Sequence, residues 1–178
     1  MRQPKNVEAG LWADRTSQIH MTQTTTNSRV IKAAPEKIYN AFTNPTSLEI
    51  WQASGDMNAK VSHFDLKVGG GYKMSLFYPE SEKEMKGKTS EKEDRYTARF
   101  IELLPNTKIV EAIQFDTINP EFDEEMIMEV TFDLVETATR VTFVFKNIPK
   151  GIRPEDNEAG TKSSLEKLAK YVEAYSSL

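Results

Sequence analysis

Few side chains in this sequence are placed to transfer a proton, attack a substrate or hold a metal. Cysteine is absent and there are two histidines, His20 and His63. His20 falls in an N-terminal stretch without periodicity, so His63 stands alone in the folded part, and neither a pair nor a triad at metal-ligand spacing exists. His63 alternates with Val61 and Asp65, which reads as a strand surface position, with a polar place in a cavity as the other reading. Glu111 is more informative, because it shares a period-two face with Ile109, Ile113 and Phe115. A carboxylate on such a face is costly unless it is paired or wet. Strand twist or a bulge is expected to bring it to the rim; an inward Glu111 would orient the polar end of a ligand or serve as an acid/base. Gly69-Gly70-Gly71 precedes a strand rather than a helix, and no P-loop lysine or hydroxyl follows. A phosphate cradle is therefore discarded in favour of a turn with unusual dihedrals.

The elements that must position these residues follow from periodicity. Residues 24–33 are rich in β-branched side chains and read as an opening strand. Pro35 at a first helical turn, then Ile38, Tyr39, Ala41 and Phe42, predicts a short amphipathic helix that Asn44-Pro45 stops. A second short helix through Leu48, Ile50 and Trp51 ends near Gly55. From Met57 the period becomes two, and six strands are predicted over 61–66, 72–78, 95–103, 108–117, 126–135 and 140–146, with Thr137-Ala138 turning the last pair. The clearest apolar face is Met126, Met128, Val130, Phe132 and Leu134, matched by Val141, Phe143 and Phe145. A face of this kind must be covered. The cover is a C-terminal helix in which Leu165, Leu168, Ala169, Val172 and Tyr175 recur at helical spacing, opening either at Pro154-Glu155-Asp156 or at the capping-box pair Ser163 and Glu166. Residues 80–94 are a charge run, taken as a solvated hairpin extension, with an interaction tail as the other reading.

The 178 residues suffice for one domain with its own core, and 10% aromatic content with eight Gly and eight Pro is a globular composition. Residues 1–22 read as a leader and 23–178 as the domain. The net charge of −4 provides no basic field, so nucleic acid is not an expected partner. No apolar run approaches the roughly 20 residues that cross a bilayer, and no membrane partner is expected. The lack of cysteine fits a cytoplasmic location.

The order β-αα-β6-α defines an α+β class, a curved antiparallel sheet of about seven strands wrapped on a long C-terminal helix. Several local patterns give this order a resemblance: residues 34–45 with Trp51 after them, Phe64 to Tyr72 around the three glycines, Phe100-Ile101-Glu102-Leu103-Leu104-Pro105, Thr139-Arg140-Val141-Thr142, and the leucine-spaced helix from Gly160. Together they resemble the SRPBCC or START-like helix-grip superfamily over about residues 24–173, and in particular its branch similar to the activator of heat shock protein 90 ATPase. Members often carry a Trp after the glycine that opens the last helix; here Thr161 follows Gly160. The resemblance implies a cavity between sheet and helix, with Trp51, Met74, Phe100, Glu111, Ile113, Met128, Phe132, Phe143, Leu165, Leu168 and Val172 as candidate lining residues. The same side chains would serve equally as a filled core. The leading expectation is a non-enzymatic domain that binds a small apolar or amphipathic ligand, with no cofactor and no metal. The alternative is an interaction module that regulates a chaperone or another protein. A cyclase or hydrolase-like enzyme stands third, because no convergent acid/base pair is visible beyond Glu111 and His63.

Overall fold

The structure, a computed structural model, describes residues 23–81 and 86–174; the proposed leader over 1–22 and Tyr175 lie outside them. The order is β1 (Gln23–Ile31), α1 (Pro35–Phe42), α2 (Pro45–Trp51), β2 (Asn58–Asp65), β3 (Gly71–Phe77), β4 (Glu93–Leu104), β5 (Lys108–Phe115), β6 (Met126–Val135), β7 (Ala138–Ile148) and α3 (Pro154–Ala174). The seven strands form one antiparallel curved sheet in the order β1-β7-β6-β5-β4-β3-β2. β1 and β2 are thus opposite edges, and the two short helices carry the chain from one to the other. This is the α+β helix-grip architecture expected from the sequence pattern.

Local chemistry sets the boundaries. Pro35 and Pro45 open α1 and α2 at positions whose backbone N–H would have no intrahelical partner. The Asn44 side chain accepts from the Ser47 N–H at 3.0 Å, capping α2. α3 begins at Pro154, with Glu155 and Asp156 in its first turn where the helix dipole favours negative charge. Of the two starts left open by the sequence, the earlier one is therefore used. Ser163 instead accepts from the Gly55 N–H at 2.9 Å, tying α3 to the loop after α2.

Two turns explain themselves sterically. β6 and β7 are joined by Glu136-Thr137, one residue earlier than the expected Thr137-Ala138, since Val135 pairs with Ala138. Glu136 takes φ 56°, the left-handed entry that a tight two-residue hairpin requires. At the glycine run, a Cβ on Gly71 would lie 1.9 Å from the Ala98 carbonyl oxygen, so only glycine lets β3 approach β4 there.

The core occupies the inner face of the sheet. Phe42 of α1 packs against Trp51, Phe132 and Phe143 with ring centroids 4.5, 5.3 and 5.7 Å away. The buried Trp51 indole donates to the Ala41 carbonyl at 2.9 Å, so its one polar atom is satisfied. Leu165, Leu168, Ala169 and Val172 of α3 join this cluster. No helix among the described residues is long and apolar enough to cross a membrane.

Candidate binding cavity

α3 does not seal the whole sheet. Under its N-terminal half lies a cavity of about 620 Å³, within the range of small-molecule sites. The strands contribute apolar walls: Ile113 and Phe115 from β5, Met126 and Met128 from β6, Phe143 and Phe145 from β7. The helix roof above them is made of small or polar residues, Asn157, Gly160, Thr161 and Ser164. Among the four, Asn157 reaches only the β1 edge, where its Oδ1 accepts from the Thr25 hydroxyl. Thr161 turns its hydroxyl back to the Asn157 carbonyl at 2.8 Å, and Ser164 donates to the Gln52 carbonyl at 2.8 Å. These bonds fasten the roof without filling the space.

Charged side chains also line the cavity. Asp94, almost completely buried, opens the alternation of β4 and is ion-paired with Lys88, whose backbone N–H also donates to it. Tyr78 donates a third bond, from its hydroxyl to Asp94 Oδ2 at 2.9 Å. Three donors on one carboxylate offset the loss of its water. The Lys88 ammonium lies 5.6 Å from the centroid of the Phe115 ring. Across the rim, Arg153 pairs with Asp156 at 2.7 Å. The charge run over 80–94 therefore ends in a buried, structured acid rather than in a wholly solvated extension.

Behind the wall is a polar network. Glu111 is 1% exposed and points inward, which corrects the expectation of a rim position. The bulge that was to move it lies in the partner strand, where the register shifts between Phe100 and Glu102, while Glu111 keeps its pairing to Phe100 and Met128. The Tyr72 hydroxyl donates to Glu111 Oε2 at 3.0 Å. Loss of water pushes the Glu111 carboxyl up to about 7, with the Tyr72 bond opposing. Burial and the nearby Glu111 charge raise the hydroxyls of both Tyr72 and Tyr96. Gln52 Nε2 donates to the hydroxyls of Tyr72 and Tyr96 at 3.3 and 3.1 Å. Gln52 and Tyr96 border the cavity, so the network connects its wall to Glu111.

Of the sequence candidates, Trp51, Ile113, Met128 and Phe143 line the cavity. Met74, Phe100, Phe132, Leu165, Leu168 and Val172 are buried in the closed core instead, and Glu111 stands one layer behind the wall. The three α3 residues differ from the expected cavity wall because they lie on the half of the helix whose long side chains fill the interface. His63 is exposed, at φ 53° in the irregular end of β2. Gln52, Tyr96, Phe115, Met126 and Phe145 were not anticipated as lining. Tyr96 could have been found from the alternation Asp94, Tyr96, Ala98 and Phe100. Gln52, at the C-cap of α2, belongs to no period. Among the described residues no group of three or more His, Asp or Glu converges as a metal site.

The model of the family described as "Activator of Hsp90 ATPase homolog 1-like protein" matches residues 32–173. No curated protein matches. Among solved structures, the fold is similar to that of a protein from Chromobacterium violaceum, 30% identical, with 84% of this chain and 96% of that one covered and a TM-score of 0.74. A protein from Rhizobium loti is 25% identical, with coverage of 84% and 96% and a TM-score of 0.66. An AHSA1-like protein from Aeromonas hydrophila shares the fold at 21% identity, with coverage of 85% and 94% and a TM-score of 0.63.

Proposed function

Since the chain belongs to the Activator of Hsp90 ATPase homolog 1-like family, a family label that leaves its own activity open, we propose that it is a non-enzymatic binding domain holding a small apolar or amphipathic molecule between the sheet and α3. The observation that carries this reading is the cavity of about 620 Å³ with aromatic and methionine walls under a roof of small residues. Methionine and aromatic walls adapt to differently shaped apolar bodies. Burying about 200 Å² of apolar ligand surface is worth roughly 5 kcal/mol before the costs of association. Apolar contact alone therefore gives weak binding, and the few polar groups at the wall decide which molecules are held.

A thermal-shift panel of small apolar and amphipathic molecules tests the reading. A binder present at about 100 times its Kd stabilises by roughly 2.7 kcal/mol, a shift of about 5–10 °C for a domain of this size. Thr161→Trp, which places an indole in the cavity, is expected to abolish that shift. A wild-type protein that responds to no member of the panel, with a crystal structure showing the space filled by side chains, overturns the proposal. The second reading, a module that regulates a chaperone or other protein, is supported by the family description and by exposed Leu66, Val68 and Ile101 near the β2–β3 turn, where the Gly69 N–H donates to the Phe100 carbonyl. A protein that co-purifies stoichiometrically and is released by Val68→Asp favours it.

A further inference from the structure

The network at the cavity wall is one partner short. Tyr72 has a single hydroxyl hydrogen, and it goes to Glu111 Oε2. From Gln52 it can therefore only accept, which fixes the Gln52 amide nitrogen toward the two tyrosines and turns Oε1 the other way. Gln52 Oε1 is shut off from solvent and has no hydrogen-bond partner among the described residues. A buried acceptor left unpaired is costly. Next to it, the Tyr96 hydroxyl accepts from Gln52, and among the described residues its own hydrogen meets no acceptor. An unpaired acceptor and an unused donor thus belong to two bonded residues that both border the cavity.

A head group that fits this pair must donate to Gln52 and accept from Tyr96. Alcohols, phenols and primary carboxamides do both; a carboxylate can only accept. Glu111, joined to Gln52 through Tyr72, has no cation paired with it among the described residues, so its charge opposes a second anion at this end. We infer that the cavity selects an uncharged molecule with an apolar body and a hydroxyl or carboxamide head, seated through a small rotation of Gln52 between the Tyr96 hydroxyl and Gln52 Oε1. This assignment rests on the binding-domain reading and narrows its ligand class.

Five probes share one apolar body and differ in the head: 2-naphthol, 2-naphthamide, 2-methoxynaphthalene, 2-naphthoate and naphthalene. Their dissociation constants are measured on the full chain at pH 8, where Glu111 is mostly ionised. The naphthol and the naphthamide are expected to bind about tenfold tighter than naphthalene, the effect of one well-made hydrogen bond. The methoxy compound, which cannot donate, falls close to naphthalene, and the naphthoate binds most weakly. Gln52→Leu and Tyr96→Phe each reduce the tenfold preference to less than threefold while naphthalene binding persists. Equal affinity for naphthalene and 2-naphthol, a naphthoate that binds best, or a preference that survives both substitutions overturns the head-group assignment and leaves the cavity reading standing. If neither variant folds, the comparison of naphthol with its methyl ether in the wild-type protein decides. Failure of all five probes to bind overturns the assignment together with the binding-domain reading.

Discussion

The two halves of α3 lie over the same sheet and do opposite things. In the C-terminal half, Leu165, Leu168, Ala169 and Val172 are buried in one cluster with Ile38, Phe42 and Phe132, supported by rings of α1. In the N-terminal half, Gly160, Thr161 and Ser164 face Ile113, Met126, Phe143 and Phe145 across open space, while Asn157 bonds to Thr25 at the β1 edge. The strand residues are equally apolar in both places. Helix side-chain size, together with the presence or absence of a covering short helix, decides whether the interface becomes a core or a cavity. Stability and the proposed binding thereby fall to different turns of one helix.

The comparison is broken most severely by truncating the sealed half. Leu168 is completely buried, and Leu168→Ala is expected to cost an amount in the upper part of the roughly 2–5 kcal/mol range for buried leucines. Denaturant unfolding of the two proteins measures it. A loss below about 1 kcal/mol would mean that the sealed half collapses as readily as the open one and that the division is not real.

Next in size is the buried acid behind the cavity wall. The Glu111 carboxyl is raised from 4.5 to about 7 by loss of water. Between those two values the folded state binds more protons than the unfolded state, so stability is greatest below about pH 4.5 as far as this group is concerned, and falls as pH rises toward 7. The loss from the acid to the alkaline side is about 3 kcal/mol. Glu111→Gln, which keeps the shape and the acceptor for Tyr72, is expected to flatten that slope and to be the more stable protein at pH 8. Unfolding curves of both proteins from pH 5 to pH 8 show the difference; parallel curves would place Glu111 in contact with water or an unseen cation.

The third test exchanges the character of the open half for that of the sealed one. Thr161→Trp is expected to change stability by less than about 1 kcal/mol, since the indole enters existing space instead of overpacking a filled core. Ligand-induced stabilisation disappears at the same time. A cost of about 3 kcal/mol or more would show that the space closes in solution.

How far these features were legible in the sequence differs between the halves for a physical reason. The sealed half announces itself: Leu165, Leu168 and Val172 keep helical spacing, and Met126, Met128, Val130 and Phe132 keep period two. The strand pattern also placed Glu111 on the inner face, and only the general cost of a buried carboxylate argued for the rim. The Tyr72 hydroxyl of β3 lowers that cost by bonding Glu111, and Gln52 at the end of α2 in turn donates to Tyr72. No periodicity reports a partner contributed by another element. The open half is written in what is missing, large side chains at 157, 160, 161 and 164, and a lack of apolar residues on a helix face normally signals solvent. Only the last residue of the charge run departs from a solvated hairpin extension, for a related reason. Asp94 belongs to the strand alternation with Tyr96 and Phe100, but it follows many charged neighbours that do not.

The mildest change sharpens the contrast most cleanly. Gly160 sits inside α3, where glycine weakens a helix by up to about 1 kcal/mol relative to alanine. In a sealed interface a glycine would be explained by a neighbour pressing on it, yet a Cβ built at this position meets nothing nearer than Ser54 Oγ at 3.9 Å. Close packing therefore does not require it. Gly160→Ala should gain most of that helical stability, raising the midpoint of thermal unfolding by about 2–4 °C, while a single methyl group at the roof leaves the affinity for 2-naphthol within about threefold. The same substitution made under a filled roof would clash and lower the midpoint. A lower midpoint for Gly160→Ala would mean that Ser54 and its loop close against the helix, and that the open half of α3 is open only part of the time.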